Sequence, residues 1–409
     1  MDLQNNKNRF DKCDKNNELK AKRLEHFQTG IFAELDEKKE NLIKQGKTIY
    51  NLSVGTPDFE PPKHVVDAVV QAASKPENYK YSLRDLPELL QAVSDYYKRR
   101  FGVEISTDCI TGVHGTQEGI GHVGMALLDE GDLVLLPNPG YPIFEAGSYL
   151  SGADLCFYDL KEENNFLPVL SEIPEEVARR AKLMIVSYPY NPVCRTAPRS
   201  FYEELVEFAK KYHIFVIHDN AYSDIIFDGK VGGSFLSIPG AMDIGAEFFS
   251  LSKSFNVTGA RVSFMLGRKD AVDALKLLRS QFDFGTFLPV QYGAIAALEG
   301  SNDFVKEQCR EYQRRRDALC GGFRRIGWNV PDSEGTMFVW APVPEGYGSS
   351  REFCMAMMEK AGVLCTPGDA FGSLGEGYVR FALVLPVEEL DKVVKAVKDS
   401  GVLVQGSGI

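Results

Sequence analysis

The chain has 409 residues, of which 44% are hydrophobic and 25% charged, and its formal net charge is −11. This length and composition predict a globular protein that buries a large core and has two or more domains. The acidic total argues against nucleic acid or an anionic membrane surface as the main partner, because both attract basic protein faces.

The cysteines and the N-terminal segment predict a reduced, cytoplasmic protein. The eight cysteines are scattered, with no C-x-x-C pair and no histidine at ligand spacing nearby, so we expect no metal site. The first 20 residues are polar and lack the apolar region of a secretory signal. Elsewhere no run approaches the ~20 apolar residues of a membrane span.

In chain order, a polar arm precedes a helix predicted over residues 24–46, and residues 50–62 form an extended run broken by glycine and prolines. From about residue 63, helical stretches alternate with short apolar runs that are typical of buried strands. These runs lie at 132–142, 182–192, 214–222, 247–253 and 261–267. Strands separated by helices predict an α/β fold with a mostly parallel sheet flanked by helices.

After about residue 290 the pattern changes to long helices with few strands, which predicts a smaller α+β domain. The helices are expected at 303–327, 350–361 and 387–400. The predicted division has three parts: an N-terminal arm and helix that pack with the small domain (1–50), a large cofactor-binding domain (51–295) and a small C-terminal domain (296–409).

Several common catalytic motifs are absent from the sequence. It has no G-x-x-x-x-G-K-[ST], G-x-S-x-G or H-E-x-x-H pattern, and the glycines of "GSLGEG" (372–377) are in the wrong order for G-x-G-x-x-G. The three absences weaken kinase, serine-hydrolase and zinc-protease interpretations.

Polar side chains follow the predicted strands, where ligands of parallel sheets bind. They are Asn191, Asp219 with Tyr222, Lys253, and Arg261 at the start of the next run. A carboxylate, a phenol, an amide, an amine and a guanidinium suit an anionic heteroaromatic cofactor with a ring nitrogen that needs a proton. Pyridoxal phosphate has these demands, since its recurring partners are a Schiff-base lysine and an Asp against the pyridine nitrogen.

The motifs around these residues resemble those of the class I/II aminotransferases, the fold-type I family of pyridoxal-phosphate enzymes. "SLSKSFNVTGAR" is similar to the family's S-x-x-K with an arginine eight residues on, and "HDNAYSDIIFDG" to its D-x-x-Y strand end. "PNPGYP", the Asn-Pro pair and "GYVRFAL" follow in the family's order. The resemblance covers nearly all of residues 25–400.

The resemblance implies roles at the cofactor ring. Lys253 would form the aldimine and then carry the proton between Cα and C4′. Asp219 would keep the pyridine nitrogen protonated, and Tyr222 and Asn191 would hydrogen-bond the phenolic oxygen. Tyr141 would stack on the ring.

The cofactor's phosphate would lie where a loop turns into a helix, at Gly115, Thr116 and Gln117, because backbone N–H groups and the helix dipole favour an anion there. The latter two residues could equally be a plain helix cap. Ser250 and Arg261 would complete the phosphate site.

For the substrate, the resemblance implies that Arg380 clamps the α-carboxylate, with the Gly55 backbone and Asn191 beside it. The implied activity is a ping-pong amino-acid:2-oxo-acid aminotransferase, similar to the aspartate, alanine and LL-diaminopimelate aminotransferases. Its partners would be amino acids, 2-oxo acids and a second copy of the chain, as a homodimer with shared sites. A β-lyase similar to cystathionine β-lyase is the alternative, and a non-enzymatic sensor domain is a more distant one.

The sequence departs from the family pattern near the predicted site. Val193 and Cys194 replace the usual Thr-Gly after Asn-Pro, and Asp85 and Leu90 stand where the family has glycine and arginine. We expect these changes to affect substrate preference and the dimer edge rather than catalysis.

Two assignments stay open at this point. Either Tyr79 or Tyr81 could reach the neighbouring subunit's phosphate, since both lie near the expected offset. His218 is either a hydrogen-bonded core residue or a neighbour that supports Asp219.

Overall fold

The structure is a computed structural model that describes residues 19–27 and 31–403, and within this part it leaves out the side chains of residues 31–34 and 36. Most of the predicted N-terminal arm therefore lies outside the described residues. Among the described helices, none is long and apolar enough to cross a bilayer.

A central sheet of seven strands, counted over the described residues, carries most of the buried core. Its order is β2-β8-β7-β6-β5-β3-β4, and β8 is antiparallel to its two neighbours while the other pairs are parallel. Two smaller sheets, β11-β12-β9 and β1-β10, stand apart from it. In chain order the strands are β1 Tyr50–Asn51, β2 Ile110–Val113, β3 Leu133–Asn138, β4 Asp154–Asp159, β5 Ala181–Ser187, β6 Phe215–Asp219, β7 Gly245–Ser250, β8 Ser263–Gly267, β9 Phe338–Pro342, β10 Val363–Leu364, β11 Thr366–Pro367 and β12 Tyr378–Ala382.

Helices cover the sheet and connect its strands, which confirms the predicted α/β fold. They are α1 Ile31–Lys44, α2 Lys63–Ala73, α3 Pro87–Phe101, α4 Thr116–Leu127, α5 Pro142–Leu150, α6 Glu175–Arg180, α7 Arg199–Tyr212, α8 Ala241–Ile244, α9 Leu251–Ser254, α10 Lys269–Phe282, α11 Leu288–Glu299, α12 Asp303–Arg325, α13 Ser350–Ala356 and α14 Val387–Ser400. The predicted division into three parts stays a prediction.

Each of the five apolar runs overlaps a strand of the central sheet, but the positions of Lys253 and Arg261 relative to those strands differ from the prediction. The run at 247–253 ends its strand at Ser250, and Lys253 lies in the one-turn helix α9 because the Ser250 hydroxyl caps that turn by accepting from Ser252 N. Arg261 does not open β8 but precedes it, in a left-handed turn with φ +54°.

Other predicted boundaries also need correction. In the described residues, the helix predicted over 24–46 spans Ile31–Lys44, and a 3-10 turn forms at Lys22–Leu24. Strands β2 and β4 were not predicted. The first has only four residues, and the second is a partly exposed edge strand whose apolar run, residues 155–158, is only four residues long.

The side chain of Glu247, on β7, is fully buried, and β7 pairs with β6, the strand that ends at Asp219. It accepts hydrogen bonds from Tyr97 Oη (2.8 Å), Ser234 Oγ (2.8 Å) and Phe235 N (2.8 Å), and it pairs with His218 Nδ1 at 2.9 Å. A buried carboxylate is tolerated when its oxygens are satisfied in this way. Glu247 therefore ties α3 and the 234–235 turn to the centre of the sheet.

We expect Glu247→Ala to lower the free energy of unfolding by about 3–5 kcal/mol, because it leaves His218 and three other buried donors without their partner. Urea unfolding followed by circular dichroism measures this loss. Glu345→Ala, at an exposed position, is the control and should change stability by less than about 0.5 kcal/mol. Equal unfolding midpoints for the two variants would contradict the proposed role of Glu247.

Candidate active site

One cleft of about 440 Å³ lies at the carboxyl ends of β5, β6 and β7 and is closed on its other side by β9 and β12. Eleven of the twelve predicted site residues line it. They are Gly55, Thr116, Gln117, Tyr141, Asn191, Asp219, Tyr222, Ser250, Lys253, Arg261 and Arg380. The twelfth, Gly115, lies directly against the Arg261 guanidinium.

Lys253 projects from α9 into this cleft, and its Nζ donates to Gly55 O at 2.7 Å. Burial lowers the pKa of Lys253 to about 8, and the nearby Arg380 and Arg261 guanidinium groups add to the effect. At pH 7 about a tenth of this amine is therefore unprotonated, far more than for an ordinary lysine, and the unprotonated form is the one that attacks carbonyl carbon.

Asp219 is the last residue of β6, and it is buried with one unsatisfied oxygen. Its Oδ1 has no hydrogen-bond partner within the described part of the chain. Burial raises the pKa of Asp219 to about 6, although His218 and the Ala221 N–H oppose the rise. Asp219 Oδ1 therefore lacks a hydrogen-bond donor in the described part of the chain, and a protonated ring nitrogen has the required chemistry.

The opposite end of the cleft has the features of an anion site. Gly115 has φ +90°, and a Cβ atom there would lie 2.0 Å from Arg261 Nη2, so only glycine lets the loop approach this arginine. Arg261 Nη1 donates to Thr258 O at 3.0 Å. Ser250 Oγ accepts from Ser252 N (3.1 Å) and from Ser263 Oγ (2.8 Å), which leaves its own hydrogen free to donate. Helix α4 begins at the same loop, and its first N–H groups add to the positive potential.

Arg380 is buried and held in a fixed orientation on the β12 side of the cleft. Its Nη1 donates to Asn191 Oδ1 at 2.7 Å and its Nη2 to Ser53 O at 3.1 Å. The guanidinium lies 4.1 Å from the Phe338 ring centroid and 4.6 Å from that of Phe371. Burial lowers the pKa of Arg380. Among the described contacts its Nε has no hydrogen-bond partner, so the group can still take a carboxylate.

The two phenylalanines were missed by sequence reasoning, because aromatic residues in apolar segments are ordinarily core residues. Phe338 also explains why residue 55 is a glycine, since a Cβ atom there would lie 2.2 Å from Phe338 Cζ. The ring and the glycine together bring the Gly55 carbonyl within reach of Lys253.

The tyrosines of the cleft are protonated donors. Burial raises the pKa of both Tyr141 and Tyr222. Tyr141 Oη donates to Gln117 Oε1 at 3.2 Å, so these two predicted residues contact each other. Tyr222 packs edge to face against Phe338, with ring centroids 6.0 Å apart.

Two of the residues that depart from the family pattern, Cys194 and Asp85, are held by hydrogen bonds. Cys194 is buried with φ +59°, its thiol donates to Pro192 O (3.1 Å), and Thr336 Oγ1 donates to its sulfur (3.4 Å). Asp85 Oδ2 accepts from Gly112 N at 2.8 Å, on the strand that leads into the anion site.

The structure shows the surroundings of the residues in both open assignments. Tyr79 Oη donates to Ala73 O of its own chain at 2.9 Å, whereas Tyr81 is 81% exposed. His218 is fully buried between Glu247 and Tyr202 Oη, which lies 3.1 Å from its Nε2. It is thus a hydrogen-bonded core residue that also stabilises the negative charge on its neighbour Asp219.

Comparison with known proteins agrees with this geometry. The sequence profile of "Aminotransferase class I and II" matches residues 47–397. The LL-diaminopimelate aminotransferase of Moorella thermoacetica is 42% identical over 381 residues, which are 92% of this chain and 97% of that protein. The enzyme of the same name from Aquifex aeolicus is 40% identical over 92% of this chain and 98% of its own length.

Solved structures show the same fold. Substrate-bound BacF from Bacillus subtilis superposes with a TM-score of 0.90 at 33% identity, covering 94% of this chain and 98% of that one. A probable N-succinyldiaminopimelate aminotransferase from Thermus thermophilus has a TM-score of 0.85 at 31% identity, covering 91% and 100%. The predicted fold and aminotransferase activity are confirmed, and the β-lyase alternative is not favoured. The chain belongs to the class I and II aminotransferase family.

Proposed function

We propose that this aminotransferase holds pyridoxal phosphate in the cleft between Lys253 and Arg261 and binds its amino-acid substrate against Arg380. The observation that carries the proposal is that Lys253, the unsatisfied carboxyl of Asp219 and the buried Arg380 line one cleft. When bound, this cofactor supplies an electron sink for the bonds around the substrate Cα.

The residues present fit the cofactor at each of its polar groups. Asp219 Oδ1 would accept from the ring nitrogen, which also explains why a carboxyl is kept in a buried position without another partner. Tyr222 and Asn191 would donate to the phenolic oxygen. The Gly115 loop, Ser250 and Arg261 would hold the phosphate.

The chain's own groups would then orient the substrate and move its proton. Arg380 would bind the α-carboxylate, with its guanidinium kept in plane by Asn191 and by the flanking aromatic rings. Lys253 Nζ, whose lowered pKa makes its unprotonated form accessible near neutral pH, would take the proton from Cα. Both amino donor and 2-oxo acid would use the same clamp, as a ping-pong cycle requires.

The substrate proposed first is LL-diaminopimelate, because the relatives described above at 40 and 42% identity carry that name. A second candidate is an amino acid with a large apolar side chain. It is favoured by Val54, Ile143 and Phe371, which add apolar surface to the cleft that Arg380 also lines.

Cytoplasmic localisation stays a prediction.

With 2-oxoglutarate as acceptor, we expect kcat/KM for LL-diaminopimelate to exceed that for phenylalanine and for aspartate by about tenfold or more, a difference of roughly 1.4 kcal/mol in transition-state binding. A coupled glutamate assay measures this ratio. If kcat/KM is higher for phenylalanine than for LL-diaminopimelate, the first candidate is overturned and the second is supported.

Capture of pyridoxal phosphate by the cofactor-free full chain should depend on the titration of Lys253. Below pH 8 the capture rate should fall about tenfold per pH unit, because only the unprotonated amine attacks, and above pH 8 it should level off. Stopped-flow visible absorbance measures the rate.

Lys253→Ala should show no covalent capture and no transamination, while Lys269→Ala, at an exposed lysine paired with Asp273, should behave like the parent chain. Retained transamination in Lys253→Ala would overturn the proposed function. A capture rate that still climbs above pH 10 would show that Lys253 is an ordinary exposed amine.

The proposed homodimer rests on an exposed aromatic surface next to the anion site. We call it the aromatic patch, and its members are Tyr79, Tyr81, Leu83, Phe282, Phe284, Phe287 and Tyr292. Its two segments contact each other through the ring pairs Tyr79–Phe287 and Tyr81–Phe284. So many neighbouring exposed aromatic residues are typical of a protein interface. Tyr81, whose side chain extends from this patch, is the residue we propose to enter the partner's phosphate site.

We expect the chain to sediment as a dimer and Phe284→Asp to shift it toward monomer with weakened cofactor retention, because a charge would be buried at the interface centre. Analytical ultracentrifugation measures the association. Phe157→Asp is the control, since Phe157 is 45% exposed on the edge strand β4 and lies outside the aromatic patch. A fully active monomer would contradict the shared-site dimer.

A further inference from the structure

Lys253 lies in a helix too short to satisfy its own backbone. Helix α9 has four residues, and its closing bond runs from Phe255 N to Leu251 O. Carbonyl groups in the last turn of a helix lack intrahelical partners and must find them elsewhere. The position of the Lys253 main chain therefore depends on what bonds its carbonyl oxygen.

That partner is Gln308 on the long helix α12. Its Nε2 donates to Lys253 O at 2.7 Å, and its Oε1 accepts from Asn256 Nδ2 at 2.9 Å. Gln308 is 5% exposed and Asn256 8% exposed, so both bonds are shielded from water. Because the Lys253 carbonyl can only accept, the amide of Gln308 must direct its donor toward Lys253.

The same helix also holds the loop that contacts the other end of Lys253. Arg315 is two turns further along α12, about 10 Å at 1.5 Å per residue. It bonds Asp58 Oδ1 (2.6 Å) and Oδ2 (2.9 Å), and Asp58 follows Gly55 by three residues. Gly55 O is the acceptor of Lys253 Nζ. Helix α12 thus bonds the backbone of Lys253 at one point and, through Asp58, supports the loop that receives its amine at another.

We propose that Gln308 is a positioning residue that fixes the backbone of Lys253 from the long helix and so sets where its amine stands in the cleft. The flanking serines do not replace it, since Ser254 Oγ bonds Asp224 at 2.7 Å and Ser252 N bonds Ser250 Oγ at 3.1 Å, and neither contacts the Lys253 carbonyl. The proposal rests on the proposed function of Lys253.

Gln308→Met tests it, because methionine keeps the length and volume of the side chain but has no donor for Lys253 O. In the cofactor-loaded full chain we expect kcat to fall about tenfold or more with KM changed less than about twofold, since displacement of a reacting group mainly lowers turnover. The pH at which the visible absorbance of the loaded enzyme changes should also shift by about 0.5 unit or more, because a displaced amine has different neighbours.

Gln313→Met is the matched control. Gln313 lies on the same helix, and its Oε1 accepts from a backbone N–H, that of Asp228, at 3.0 Å, away from Lys253. Gln313 is less buried than Gln308, so Gln313→Met should lower thermal stability less than Gln308→Met, and it should leave kcat and the absorbance titration unchanged. If Gln308→Met fails to fold, Gln308→Asn, which keeps the amide but is one methylene too short, should show the same two shifts.

A Gln308 variant that folds and matches Gln313→Met in both readouts would overturn the positioning role. That result is distinct from failure of the proposed function, in which Lys253→Ala itself would remain active.

Discussion

Lys253, Asp219 and Arg380 lie together in one cleft, and each is held there largely out of water. Burial moves the pKa of Lys253 down to about 8 and that of Asp219 up to about 6, the two directions that desolvation gives for a base and an acid. Arg261 adds a second guanidinium at the other end. Lys253, Asp219 and Arg380 are costly to bury unless a ligand neutralises them, which supports the proposal that the cleft holds a molecule with an anionic end and a cationic ring nitrogen.

The fold maintains this arrangement because rigid elements fix each group separately. Asp219 ends a fully buried central strand, and Glu247 ties the neighbouring strand to α3 behind it. Arg380 lies on β12 of the three-stranded sheet and donates a hydrogen bond to Asn191 across the cleft. Helix α12 spans these parts through its bonds to Lys253, Asp58 and Asp228. The residues that bind and react are therefore supported by contacts made far from them in the chain.

Much of this site could be predicted from the sequence, for a physical reason. Parallel strands place their carboxyl ends on one edge, so the polar residues after each apolar run had to meet there. The same logic could not find Gln308, which lies on a highly charged helix and contacts Lys253 across 55 positions. Nor could it find Phe338 and Phe371, because their contact with Arg380 depends on the pairing of β9 with β12 and on the position of the 3-10 turn Gly368–Phe371. Strand β4 was missed because its apolar run, residues 155–158, is only four residues long.

Cys194, which stands where the family has a glycine, lies on the same side of the cleft as Arg380, the proposed substrate clamp. Its left-handed φ of +59° is strained for a residue with a Cβ atom, and backbone bonds from Cys194 N to Tyr190 O and from Glu334 N to Cys194 O hold it there. Its sulfur accepts from Thr336 Oγ1, and that hydroxyl in turn accepts from the backbone N–H of Phe338. Cys194 thereby connects the Asn191 loop to the ring that packs on Arg380. A glycine in its place would relieve the strain but lose this connection, so the cysteine acts on the side of the cleft where Phe338 packs on Arg380.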